Sequence, residues 1–255
     1  MSINEVFPHP TVKQVIFQIR FPNLFAMPTL VGEYQTKIME KFPESSLAQM
    51  STVLIAEMGP GAKLEPPPNL PEPGVVPVWQ FSTPSGVKLD VLQNSLALHS
   101  TVHKTYRHPS ATERFRDLIQ YAVTPFLQVT RVPLLARIGL RYVDQCPVPP
   151  GGSDGYRRYY STTFPLERFP LEQAAGMQFR CTVRRGDCSV NLKEALDLSG
   201  QGPTMQLDTD AYRQNVKASD YLQVTDELHD LIVREFEDFG KAPFFEHMRR
   251  PVEKP

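Results

Sequence analysis

Apolar and polar residues alternate over 12–21, V-K-Q-V-I-F-Q-I-R-F, placing Val15, Phe17, Ile19 and Phe21 on one strand face. The same period returns over 136–143, A-R-I-G-L-R-Y-V, with Ile138, Leu140 and Tyr142 in line. Each strand sets an arginine beside its last large apolar residue, Arg20 before Phe21 and Arg141 before Tyr142, and then meets a proline, Pro22 or Pro147. A helical period takes over in 29–42, where Leu30, Tyr34, Ile38 and Phe42 share a face. Strand-like runs are predicted at 51–58, 76–83, 87–92 and 95–102. A long helix follows, opened by the capping-box pattern Ser110-Ala111-Thr112-Glu113. It is predicted to bury Phe115, Leu118, Ile119 and Ala122 and to weaken at Pro125. The second half predicts a short helix at 166–175, strands at 177–184, 188–193 and 205–212, and a last helix over 219–239. That helix aligns Val224, Leu228, Leu231, Ile232, Phe236 and Phe239.

Both halves therefore read strand, helix, antiparallel strands, long helix. The expectation is an α+β protein of two pseudo-repeats, 1–130 and 131–255, forming one compact unit. Curved antiparallel sheets would pack on long helices in a TATA-binding-protein-like or helix-grip-like arrangement, with one sheet face buried. A two-residue turn at Arg185-Gly186 would place Val183 opposite Cys188 and Cys181 opposite Val190, and Arg180, Thr182, Arg184 and Asn191 on the other face. Arg185-Gly186-Asp187 then reads as a tight turn rather than an adhesion signal.

Composition adds one outlier. Proline accounts for 25 of 255 residues, about twice the usual ~5%, which excludes an all-helical bundle. Seven prolines fall within 59–77 and suggest a stiff extended connector rather than a docking ligand. With 27 Lys and Arg against 28 Asp and Glu, the chain is not a bulk polyanion binder. The N-terminus has no basic and apolar leader pattern. Three cysteines, Cys146, Cys181 and Cys188, make a disulfide framework improbable. A cytoplasmic protein with reduced thiols is expected.

Catalytic signatures are sparse. Gly151-Gly152-Ser153-Asp154-Gly155 lies in a loop and is no nucleophile elbow. No phosphate-binding or dinucleotide glycine motif occurs, and no cofactor is implied. His99 and His103 would lie ~13 Å apart on a strand, too far for one metal ion. Asp208 and Asp210 share a strand face, where a solvated pair outweighs acid–base work. His229 is read as a half-buried helix residue.

Charge placement says more. The sheet face away from the helices gathers Lys13, Arg20, Lys88, Arg137, Arg141, Arg180, Arg184 and Lys193, as in saddle-shaped folds that meet nucleic acid. The loop 147–165 carries Tyr156, Arg157, Arg158, Tyr159 and Tyr160, residue types suited to a contact surface.

Several segments resemble a sporadically distributed family of uncharacterised bacterial proteins of about this length. They are Phe17-Gln18-Ile19-Arg20-Phe21-Pro22, Val78-Trp79-Gln80-Phe81, Leu96-Ala97-Leu98, Tyr106, Phe115 and Arg137-Ile138-Gly139-Leu140-Arg141-Tyr142. The closing stretch from Leu228-His229 to Phe236-Glu237 matches as well. Members look like R-x-G-L-R-Y followed by Asn, where this chain has Asp144. The resemblance implies one full-length domain and supplies no catalytic residues.

The expected function is a non-enzymatic binding or scaffold protein, acting through the outer sheet face (Arg20, Arg137, Arg141, Arg180, Arg184) and the loop Tyr156–Tyr160. A protein partner or a homodimer is expected, since open sheets leave edges to be covered. Nucleic-acid or nucleotide binding on the arginine face is the second reading. A small-ligand or enzymatic pocket between sheet and helix is the third.

Overall fold

The structure, a computed structural model, describes residues 5–51, 75–199 and 202–251. Its frame is one nine-stranded antiparallel sheet in the order β2-β3-β4-β5-β1-β6-β9-β8-β7. The first half of the chain supplies β1 (Val12–Arg20), α1 (Met27–Ile38), β2 (Glu44–Ser51), β3 (Val75–Ser82), β4 (Lys88–Val91), β5 (Ser95–Ser100) and α2 (Phe115–Thr130). The second supplies β6 (Leu134–Cys146), α3 (Gly152–Tyr159), β7 (Gly176–Arg185), β8 (Cys188–Asp197), β9 (Thr204–Lys217), α4 (Tyr221–Phe239) and α5 (Ala242–Arg249). Among the described residues no helix is long and apolar enough to cross a membrane.

The two alternating strands recognised in the sequence meet at the centre. β1 and β6 pair antiparallel, with Phe17 opposite Leu140 and Ile19 opposite Ile138. These side chains form one core with Tyr34 and Ile38 of α1, Phe115, Ile119 and Phe126 of α2, and Val224, Leu228 and Ile232 of α4. The helices thus cover the face that period two makes apolar. The opposite parity, Gln18 against Gly139 and Arg20 against Arg137, stays on the uncovered face.

A second core fills the end of the sheet where β6 finishes and β9 begins. It contains Cys146, Tyr156, Tyr160, Phe164, Leu196, Met205, Leu207, Phe239, Phe244 and Met248. Helices α3 and α5, neither anticipated, close this end through Tyr156 and Phe244.

Other expectations need correction. Ser110 lies five residues before α2 and does not cap it; its hydroxyl is hydrogen-bonded to the His108 ring at 2.7 Å. The helix starts at Phe115 behind an extended Arg114. Pro125 lies inside α2, which continues to Thr130. The stretch expected to be helical at 166–175 contains only a single 3-10 turn, Leu171–Gln173.

The β7–β8 turn is Gly186-Asp187, not Arg185-Gly186: Arg185 faces Cys188, Val183 faces Val190 and Cys181 faces Leu192. Gly186 takes φ +62° at the first central position, where a type II′ turn requires glycine. The shift moves each partner by two, so the assignment of residues to faces is unchanged. The strand expected at 51–58 falls mainly outside the described residues, and β2 lies before it at Glu44–Ser51. Most of the proline-rich connector likewise lies outside them, with Pro77 inside β3.

Candidate functional site

Two arginines of the uncovered face, Arg137 and Arg141, are held by carboxylates. Arg137 Nη2 donates to both Asp210 oxygens at 2.8 Å, and its guanidinium lies 4.6 Å from the Tyr212 ring centre. It lies over Gly139, where an added Cβ would stand 2.4 Å from Arg137 Nη1, so a larger residue there would displace the arginine tip. Arg141 grips Asp208 through Nε at 2.7 Å and Nη2 at 2.5 Å.

The Arg137 group belongs to a longer chain. Arg20 Nε and Arg137 Nη1 both donate to Gln18 Oε1, at 3.1 and 3.4 Å. Asn191 donates to Asp210 at 3.1 Å and Thr182 to Asn191 at 2.8 Å. Polar bonding therefore runs from β1 through β6, β9 and β8 to β7. Arg180 and Arg184 are exposed on β7. Asp208 and Asp210, which share a face as expected, clamp arginines.

The tyrosine-rich segment is not the surface loop expected. Its first part forms α3, and Tyr156 of that helix and Tyr160, the extended residue just after it, both point into the second core at 0% exposure. Tyr160 donates to the Pro147 carbonyl at 2.6 Å. Tyr156 contacts Met205 Sδ at 3.2 Å. Arg158 is exposed, while Arg157 and Tyr159 are half-buried; Arg157 lies 3.5 Å from Asp154.

Where the two cores adjoin, a cavity of about 180 Å³ remains. Tyr106, Tyr142 and Ile232 of the first core line it, together with Phe7 and Met248 of the second. Polar groups converge among these apolar walls. β6 contributes Tyr142 and Asp144, two apart on its inward face, and β9 contributes Thr209 opposite Tyr142. Asp144 is 3% exposed and accepts a 2.8 Å bond from the Thr11 hydroxyl. The Tyr142 hydroxyl is buried with no hydrogen-bond partner. Exposed Glu5, Lys104, Arg107 and Asp230 stand on the solvent side.

Electrostatics follow from this placement. Burial pushes the Asp144 carboxyl up to about 6; the Thr11 bond opposes that rise, Asp208 adds to it and Lys104 reduces it. Burial holds His229 below the usual imidazole range despite the Asp230 carboxylate beside it. The His229 ring stacks on Tyr106 at 4.3 Å. Tyr106 donates to Asp226 at 2.8 Å, and Arg116 fixes that carboxylate with bonds of 2.7 and 2.8 Å. Burial first, and then Asp226, raise the Tyr106 phenol. The ring wall is thereby anchored from α2 and α4.

Among the described residues no group of three or more His, Cys, Asp or Glu converges to hold a metal ion. His103 and His108 instead bond Ser100 and Ser110, at 2.8 and 2.7 Å. The three cysteines are unpaired, two buried and Cys181 half-buried. Matched against protein-family models and against curated proteins, the chain returns no counterpart. The pocket was not among the residues expected to bind. Its signal is nonetheless present, because Asp144 breaks the inward apolar series Ile138, Leu140, Tyr142, Cys146.

Proposed function

We propose that the protein is a small-molecule-binding module whose ligand occupies the cavity between the sheet and α4. The observation that carries this reading is the unpartnered Tyr142 hydroxyl, buried beside the Asp144 carboxyl in an aromatic-walled space. A buried polar group without a partner costs about 1–3 kcal/mol, and a bound polar atom would recover much of that. Cavities of about 150 Å³ accept a benzene-sized ring, so one ring with a short polar arm fits. Val233 of α4 lines the same space. Small aromatic fragments should raise the melting temperature of the wild type. Val233→Trp, filling the cavity, should abolish that response without lowering basal stability; an equal response in both proteins would refute the assignment.

We also infer an internal duplication. Outward from the centre the strands run β1-β5-β4-β3-β2 on one side and β6-β9-β8-β7 on the other, and a long helix ends each set. This order supports the TATA-binding-protein-like comparison. A polyanion is less suited to the uncovered face, since Arg137 and Arg141 already have carboxylate partners. Self-association is a second reading. It is favoured by β7, a ten-residue outer strand without proline or bulge, whose Met177, Phe179, Cys181 and Val183 are half-buried.

A further inference from the structure

We infer that the ligand of this cavity is an organic cation: a protonated amine seated against Asp144 and Tyr142, carried on a body the size of one aromatic ring. This rests on the cavity being a binding site and adds the charge of its occupant. Asp144 is the buried charge of the cavity, and it has no salt-bridge partner within 4.0 Å among the described residues; its one hydrogen bond comes from neutral Thr11. The cations on the solvent side are committed elsewhere. Lys104 Nζ donates to the Val12 and Thr101 carbonyls at 2.8 and 2.9 Å. Arg107 holds Asp230 at 2.6 Å, and Glu5 is taken by Arg249.

An ammonium has three donors and no acceptor, matching the free acceptor capacity of the carboxylate and of the Tyr142 oxygen. Tyr106, Tyr142, Phe7 and Phe236 line the space, and an aromatic wall attracts a desolvated cation through its ring quadrupole. An anion would instead meet the Asp144 charge at close range in a space of low polarity.

Three probes of one shape separate the possibilities: phenethylamine, 2-phenylethanol and phenylacetate, titrated calorimetrically into the full chain at about pH 7.5, above the Asp144 transition. The amine is expected to bind about tenfold or more tighter than the alcohol, as a charge-assisted bond does over a neutral one. Asp144→Asn should weaken the amine on the order of thirtyfold, the loss seen when one partner of a desolvated pair is neutralised. It should leave the alcohol unchanged. Acidification through about 6 should weaken the amine in the wild type only. Thr11, Lys104, Tyr142 and His229 also line this space, and Asp208 acts on Asp144 from the opposite sheet face; His229 gains positive charge in the same direction, which the Asn variant separates out.

Alcohol or phenylacetate binding as tightly as the amine would overturn the cation while leaving the cavity a binding site. Failure of all three at millimolar concentration would overturn both. Should Asp144→Asn fail to fold, the wild-type pH series decides alone: an amine affinity unchanged across that transition counts against the proposal.

Discussion

Asp144 shows how one residue can govern both stability and binding. Its carboxyl rises from 3.8 to about 6 on folding, chiefly through burial, so the folded state holds the proton more tightly than the unfolded chain. The associated stabilisation is full below about pH 4 and is lost as pH rises through 6; at 1.36 kcal/mol per unit it amounts to roughly 3 kcal/mol. Asp144→Asn retains an acceptor for Thr11 and has no charge to bury. It should raise the unfolding free energy at neutral pH and flatten its fall between about pH 4 and 7. Denaturant titrations across that range test this, and an unchanged slope would contradict it. In the sequence this residue shows as a departure from the R-x-G-L-R-Y motif followed by Asn and as a polar break in an alternating apolar series. Which strand face meets water is a property of the sheet, and Asp144 gains its meaning from Thr11, 133 positions earlier.

Elements were legible where the apolar period is long. β1, β6, β9 and α4 follow their spacing, because burial of one face fixes both parity and period. Elements supported by distant groups were not. The first turn of α3 gives its Ser153 N–H to Glu172 Oε1 at 3.0 Å, and the Ser153 hydroxyl gives to Oε2 at 3.1 Å and accepts from the Leu171 N–H at 2.9 Å. No local pattern announces a clasp nineteen residues long, and two glycines at its start read as loop. The capping box at Ser110 failed because the helix begins only at Phe115, behind an extended Arg114, while Ser110 hydrogen-bonds the His108 ring instead. Ser153→Ala leaves the buried Leu171 N–H without its acceptor. It should cost about 1–2 kcal/mol, read from the denaturation midpoint, and an unmoved midpoint would show that α3 holds by its aromatic contacts alone.

Across the whole molecule, one sheet carries two cores and two edges. Edge strands are normally short, bulged or charged on their inward side, whereas β7 is ten residues long and its inward residues are apolar. The wild type should therefore show concentration-dependent dimerisation by sedimentation velocity. Val183→Lys, which places a charge on that edge, should remain monomeric; a wild type that stays monomeric at high concentration removes the self-association reading. The seam between the cores has a different consequence. β6, β9 and α4 each contribute side chains to both cores, so neither core can unfold without loosening elements of the other. An occupant at the seam touches both and works like a keystone: its binding energy restrains openings on either side. Amide hydrogens as far apart as α2 and α5 would then exchange more slowly together, although of these two helices only α5 lines the cavity, through Met248.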